Sequence, residues 1–448
     1  MKTISLVLIS LLPLALQCLG QQVTVFTNVT VINGTGKAAQ PNRNLAIQGD
    51  HILSITPADQ QVPAGASVVD LRGKTIMPEL INTHGHLGLI KGTTSAAANQ
   101  TVDNVRHQLL QYQCYGVGTV LSMGTDGENF AAWRDASHNG TLPGAAIYTA
   151  GIGFGTKDAV PPNSMGFTQV LRPDTPDEAR AAVRKQAALQ PDFIKFWLDD
   201  FWGQYPKMKP EIYAAIIDEA HRSNLRVAAH LYHLEDARKL VDLHVDVIAH
   251  SVRDGEIDDA LLAEMKQRHV TYIPTLSLDD FAFAYEGSPA WVNDPFFQEA
   301  ADPVVLEMVT SPQYKEKLRA SNVTPQEEAA LPVALSNFKK VFDAGIPVSM
   351  GTDSGATPIR VQGFAEHMEL KLMVQAGLTP LQAITVATKN GAELLRINDQ
   401  VGTLEPGKKA DFLVLDADPS QDITNTRKIN AVWKNGQKLS NGPRDHCN

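Results

Sequence analysis

Hydrophobic and polar positions alternate with period two from Val23 to about Val69, in VTVFTNVTVI (23–32) and NLAIQGDHILSI (44–55), with breaks at Gly34 and Gly49-Asp50. Alternation of this kind marks half-buried strands bounded by turns. The same character returns in ADFLVLDADP (410–419) and INAVWKNGQKL (429–439). Residues 21–74 and 400–448 are therefore expected to build one small β-sandwich from both ends of the chain. Between them the pattern changes to strand followed by helix. The short apolar runs are TIMPELINT (75–83), GVGTVLSMG (116–124), AAIYTAG (145–151), DFIKFW (192–197), LRVAAH (225–230), VDVIAH (245–250), VTYIPTLS (270–277) and IPVSMGTD (346–353). Helix starts are marked at Thr175-Pro176-Asp177-Glu178 and Thr379-Pro380-Leu381-Gln382, each reading as a capping box with proline in the first turn. Eight such strands over residues 75–399 predict an α/β fold of the (β/α)8 TIM-barrel type. A doubly wound sheet fits less well, because no glycine-rich phosphate loop follows the first strand. The stretch from Ser277 to Glu328 carries Phe281, Phe283, Tyr285, Trp291, Phe296 and Phe297, and reads either as a lid over the barrel mouth or as a helical layer packing on itself.

The first twenty residues stand apart: Lys2 precedes an apolar run from Ile4 to Leu16, and Cys18 and Gly20 supply small residues at −3 and −1 of a cleavage site. That is the shape of a secretory signal peptide covering residues 1–20, so the mature chain is expected to be exported, periplasmic or extracellular, with no membrane segment left after cleavage. A lipoprotein at Cys18 fits less well, since Gln17 precedes it. Cys114 and Cys447 then remain in a compartment that permits disulfides, although the sequence does not say whether they pair. The sequons at Asn28, Asn33, Asn99, Asn139 and Asn322 read as turn chemistry outside a eukaryotic secretory pathway. With 43% hydrophobic and 20% charged residues the composition is that of a soluble globular protein, which excludes a multi-span transporter. Lys plus Arg number 39 against 49 Asp plus Glu, a net charge of −10, which argues against a nucleic-acid or anionic-membrane partner and for small molecules or short peptides. The oligomeric state is open, a homo-oligomer included.

In a TIM barrel the reactive side chains project from the C-terminal ends of the strands. At those ends stand Thr83-His84-Gly85-His86, Lys195, His230, His250 and Asp353. Each alone would pass for a satisfied polar residue. His84 and His86 do better together, because strand period two turns both imidazoles to one side while Gly85 leaves room. Neutral imidazoles with carboxylate oxygens suit zinc, with manganese, cobalt and iron as alternatives. In DFIKFW, Phe193, Lys195 and Trp197 share one face and Ile194 and Phe196 the other. An unpaired ammonium on either face is costly and loses its proton. A neutral amine can add carbon dioxide to form a carbamate that bridges two cations; the alternative is a packed stem with a head that snorkels to water.

As a set, these residues resemble the amidohydrolase superfamily, specifically the imidazolonepropionase-like branch that includes secreted prolidase-type peptidases. The resemblance runs through almost all of the mature chain to Gly402-Thr-Leu-Glu-Pro-Gly-Lys-Lys-Ala-Asp-Phe-Leu-Val-Leu415, which is similar to the family's return to its β-sandwich. It implies two divalent metal ions: one held by His84, His86 and Asp353, the other by His230 and His250, with carboxylated Lys195 as the bridge. Where the family usually reads Pro-Gly-Leu-Ile-Asp, this chain has Pro78-Glu79-Leu80-Ile81-Asn82, so the support of the first metal is expected to differ. Imidazolonepropionase itself resembles a one-metal enzyme without the bridging lysine, which argues against that reaction.

The implied mechanism is attack by a hydroxide held between the metals, with Asp353 as base and then as acid to the leaving group. Tyr232 and His233 follow strand five, Arg253 follows strand six, and Arg360 and His367 follow strand eight, so all are candidates for the pocket. Tyr232 would donate to the oxyanion, and Arg253 or Arg360 would hold a substrate carboxylate. The expected activity is hydrolysis of an amide in a dipeptide or N-acyl amino acid. The alternatives are the same fold acting on lactones, carbamates or phosphotriesters, and, from another class, an exported solute-binding protein.

Overall fold

A computed structural model describes residues 22–445; the expected signal peptide, with Cys18, and Cys447 lie outside the described residues. The alternating N-terminal segments form Val23–Val31, Gln40–Gln48 and His51–Pro57, paired antiparallel in that order, with Ser67–Asp70 parallel to the first. The C-terminal strands Phe412–Leu415, Ile429–Lys434 and Gln437–Ser440 extend the same sheet. His51 bridges Lys409, so the sheet curls into a small sandwich around Phe26, Leu45, Ile47, Ile76, Phe412 and Val414. The Phe26 ring stands 5.2 Å from Phe412 and 4.8 Å from Trp433, so residues from both ends share one core.

The run expected as the first barrel strand is divided in two. Thr75–Pro78 joins the curled sheet between Val23–Val31 and Phe412–Leu415, and Leu80–Gly85 alone enters the barrel. Both pieces are buried throughout, so the period-two signal that would have exposed the break is absent. Glu79, at the break, is buried and faces Lys434 Nζ at 3.3 Å, and a Cβ on Gly118 would come within 2.0 Å of its Oε2. Lys434 also donates to the Gly118 carbonyl at 2.9 Å, tying the sandwich to the barrel.

The barrel is a (β/α)8 TIM barrel. Leu80–Gly85, Val117–Ser122 and Ala146–Thr149 form one parallel set, and Phe193–Trp197, Arg226–His230, Val247–Ala249 and Thr271–Ile273 another. Phe154 joins the two sets, donating to Lys195 O at 2.8 Å and accepting from Trp197 N at 3.0 Å. Residues 346–353 close the other side without forming a regular strand: Tyr272 N reaches Pro347 O at 2.9 Å, and Thr83 N reaches Met350 O at 2.8 Å. Ile81, Leu121, Phe193, Ala228, Val247 and Ile273 fill the interior below the mouth, with Leu394 and Leu395 of Lys389–Leu395 packed against them.

Strand seven is shorter than the run VTYIPTLS implies. Pro274 cannot donate to the ladder, Thr275 turns at φ 49°, and the helix Leu276–Phe283 begins. Thr379 and Gln382 form the expected reciprocal capping box of Pro380–Ala387. Thr175 caps Pro176–Ala187, but Glu178 reaches back to Asp174 N instead of Thr175 N. The segment after strand seven packs on itself, with Trp291 to Phe297 at 4.9 Å and Tyr285 to Trp291 at 5.3 Å between ring centres, and on the helix Phe364–Gln375, with Phe297 to Phe364 at 4.9 Å. It also reaches the barrel mouth, where Leu278 and Glu327 line the cavity. Cys114 is disulfide-bonded. Among the described residues no helix is long and apolar enough to cross a membrane.

Candidate active site

The strand-end residues converge as expected. Asp353 Oδ1 stands 2.8 Å from His86 Nε2 and 3.3 Å from His84 Nε2. The His250 ring lies 4.5 Å from His84 and 4.3 Å from His230. All five are buried, and His250 (φ 91°) and Asp353 (φ 55°) hold left-handed backbone that non-glycine residues rarely adopt. Strain of this kind persists where surrounding structure enforces it, as at reactive sites. Gly85 separates the paired histidines because a Cβ there would press on Tyr112 Oη and Val120 Cγ2, each at 3.0 Å.

Three of the four imidazoles are oriented through one ring nitrogen. His86 Nδ1 meets Thr125 Oγ1 at 2.7 Å, His250 Nδ1 meets Thr275 Oγ1 at 2.8 Å, and His230 Nε2 meets Asp199 Oδ2 at 2.8 Å. Such outer contacts set the tautomer and leave the opposite nitrogen for a cation. Burial drives the pKa of His84 and His250 well below the usual imidazole value and lowers that of His230, so these rings are neutral, as metal ligands must be. His84 Nδ1 is buried without a hydrogen-bond partner.

Lys195 lies inside the barrel, on the face it shares with Phe193, while Phe196 stacks against Tyr213 of the helix Pro210–Arg222 at 6.2 Å. Its side chain is fully buried and Nζ has no hydrogen-bond partner. Burial pulls its pKa from 10.5 to about 7, against the pull of Asp353 in the other direction. Asp353 is the reverse case: burial works to raise its pKa, but Arg360 and the two histidines hold it well below the usual carboxylate value. Arg360 Nη1 donates to Asp353 Oδ2.

Above this cluster is a cavity of about 160 Å³ walled by Phe167, Trp197, Phe201, Trp202 and Tyr232, with Arg253, Glu327 and Arg360 as its charged groups beside Asp199 and Asp353. Tyr232 and Arg360 therefore face the pocket as expected. Arg253 lines it too, but Asp279 Oδ1 takes its Nη1 at 2.7 Å and Leu231 O its Nη2 at 3.3 Å, so the guanidinium is already engaged. His233 is not brought into the cavity. Asp254 holds its Nδ1 at 2.8 Å and Asp200 its Nε2 at 3.1 Å, and together they raise its pKa against the opposing effect of burial. His367 is not there either. It is buried between Thr426 Oγ1 and Tyr115 O, both at 2.9 Å, where it ties a helix to the C-terminal segment.

Sequence reasoning missed Asp199, Glu327, and the group around Asn82. Asp199 lies two residues beyond the end of strand four at Trp197, so its place near a strand end was a usable signal. Asn82 accepts from His84 N at 2.9 Å and donates to Glu366 Oε1 at 2.7 Å and Thr352 Oγ1 at 2.9 Å, contacts far apart in the chain. Among the described residues, two groups of side chains have the closeness of cation ligands: His84, His86 and Asp353 at the centre, and Asp199, Asp200 and His233 on the rim.

The amidohydrolase family model matches residues 75–439, and the chain belongs to that family. It is a hydrolytic enzyme acting on carbon–nitrogen bonds. Ochratoxinase from Aspergillus niger is 24% identical over 478 aligned positions, covering 94% of this chain and 87% of that protein. A 5-methylthioadenosine/S-adenosylhomocysteine deaminase from Halalkalibacterium halodurans is also 24% identical, covering 88% of this chain and 85% of its own. Among solved structures, a Xaa-Pro dipeptidase with methionine bound in its active site superposes with a TM-score of 0.74 at 24% identity, over 94% of this chain and 100% of that one.

Proposed function

We propose that the chain is a two-cation, metal-dependent hydrolase that cleaves the amide of a dipeptide or N-acyl amino acid. The observation that carries this reading is Lys195: a buried amine without a partner, its pKa lowered to about 7, beside neutral imidazoles and Asp353. Such an amine is competent to take up carbon dioxide, and the carbamate would serve as the missing anionic ligand. His84, His86 and Asp353 would hold one ion and His230 and His250 the other, with zinc best suited to this donor set. Bound divalent cations supply an activated water and polarise the scissile carbonyl.

The remaining steps belong to the chain. Asp353 accepts the proton of the attacking water and delivers it to the amine nitrogen as the C–N bond breaks, so that water is divided between an acid and an amine product. Tyr232, on the cavity wall, donates to the oxygen where charge develops. Arg360 is the better candidate for a substrate carboxylate, since Arg253 is spent on Asp279. A carboxylate that draws Arg360 away would also release Asp353 Oδ2 to take the proton. Export is part of the proposal, supported by the apolar run from Ile4 to Leu16 and by the disulfide at Cys114.

The test is elemental analysis of protein purified with zinc and bicarbonate, followed by hydrolysis of a library of dipeptides, N-acyl amino acids, lactones, carbamates and phosphotriesters. Two equivalents of metal and preference for amides are expected. One equivalent or less, or turnover confined to the other classes, rejects the reading.

A further inference from the structure

The charged groups around the cavity pair off with one exception. Arg253 is matched by Asp279 at 2.7 Å, His230 by Asp199 at 2.8 Å, and Arg360 by Asp353. Glu327, from the helix Thr324–Asp343, lines the cavity with 7% of its surface exposed and forms no ion pair among the described residues. Its Oε2 has no hydrogen-bond partner, and neither has Asp279 Oδ2. Two neighbouring buried acids thus share one guanidinium. Burial, then the charge of Asp279 and a hydrogen bond with it, push the Glu327 pKa up to about 8, and the Arg253 and Arg360 charges offset this only in part.

We infer that Glu327 is the subsite for a substrate ammonium group, so that the enzyme selects amides whose acyl half carries a free α-amine over their N-acylated counterparts. The inference rests on the proposed amide cleavage for its kinetic arm only. An ammonium here supplies the missing positive charge and three donors, which suit the open Glu327 oxygen and the surplus charge beside Arg253. The aromatic walls given by Phe167, Trp197 and Trp202 leave room for an apolar side chain on the same residue.

The experiment compares phenylalanyl-alanine with N-acetyl-phenylalanyl-alanine on zinc-loaded enzyme, and in parallel follows binding of phenylalanine and N-acetylphenylalanine by calorimetry. Wild type is expected to favour the free amine by about 10- to 100-fold, the worth of one charge-assisted contact. Glu327→Gln keeps the size and removes the charge; it should abolish that preference, mostly through KM. Equal turnover of the two dipeptides by wild type, or a preference unchanged in Glu327→Gln, overturns the assignment. If neither dipeptide is cleaved while phenylalanine binds selectively and loses that selectivity in Glu327→Gln, the proposed reaction falls and the ammonium subsite stands. No cleavage together with amine-blind binding removes both.

Discussion

Replacing Lys195 by methionine should stabilise the metal-free protein while destroying its activity. The lysine side chain is fully buried, Nζ is unpaired, and its pKa falls from 10.5 to about 7. A depression of that size corresponds to about 5 kcal/mol of penalty on the charged form. The sign follows from proton binding: between pH 7 and 10.5 the unfolded chain holds a proton that the folded chain lacks, so the lysine's contribution to stability becomes more favourable as pH rises. The slope in that window is about 1.4 kcal/mol per pH unit, and the penalty is complete below it. Methionine has a similar volume and no charge, and repacking costs up to about 1.5 kcal/mol. Lys195→Met should therefore gain about 3 kcal/mol over wild type at pH 7; the gain should reach zero roughly one unit below pH 10.5, where the remaining penalty equals the repacking cost, and turn into a small loss by pH 10.5. Urea unfolding of both proteins, with chelator and in carbonate-free buffer, at pH 7, 8.5 and 10.5, measures the difference directly. Zinc and bicarbonate should then reverse the order, stabilising wild type more than the variant. A variant less stable than wild type at pH 7 without metal, or a difference that ignores pH, would refute the description of Lys195 as a desolvated amine awaiting a partner.

Other perturbations separate the remaining roles. His84→Asn and His230→Asn should each lower the zinc content from about two equivalents toward one, at different sites; elemental analysis that finds neither loss counts against the ligand assignment. Asp353→Asn should keep much of its metal yet lose about 10²- to 10⁴-fold in amide turnover, with a smaller loss on a nitrophenyl ester whose leaving group needs no proton; equal losses at matched metal occupancy would reduce Asp353 to a ligand. Lys434→Met removes the cation facing Glu79 at 3.3 Å, and the stranded buried acid should cost about 3 kcal/mol in urea unfolding. Pairing that change with Glu79→Gln should recover most of the loss, and a double variant as unstable as the single one would show the contact to be incidental.

The barrel and its central cluster were legible because both rest on short-range regularity. Strand period two and placement at strand ends brought His84, His86, Lys195, His230, His250 and Asp353 to one spot, with Asp353 Oδ1 within 3.3 Å of both members of the histidine pair. What was hidden depends on partners chosen by the fold. His233, Arg253 and His367 follow strands as a pocket residue would, but Asp254, Asp279 and Thr426 claim them first. Glu79 looked like the middle of a strand because both of its flanks are buried, and only the distant Lys434 accounts for the break there.

Asn82 carries the same lesson into the site. It stands where the family resemblance leads one to expect an aspartate, and the sequence therefore implies that the support of the first metal differs. In the fold its Oδ1 still accepts from His84 N at 2.9 Å, which an aspartate oxygen would also do, while its Nδ2 donates to Glu366 Oε1 at 2.7 Å. An aspartate at that distance from a fully buried glutamate would need a proton between the two carboxyls. The amide carries its own hydrogen, and Thr352 and Ser354 also donate to Glu366, at 2.8 Å each. The asparagine therefore preserves the restraint on the His84 backbone and removes a charge conflict, so the departure in sequence need not be a departure in geometry. A ligand set can be read from strand ends, but whether its scaffold is intact depends on which buried groups have hydrogens to give.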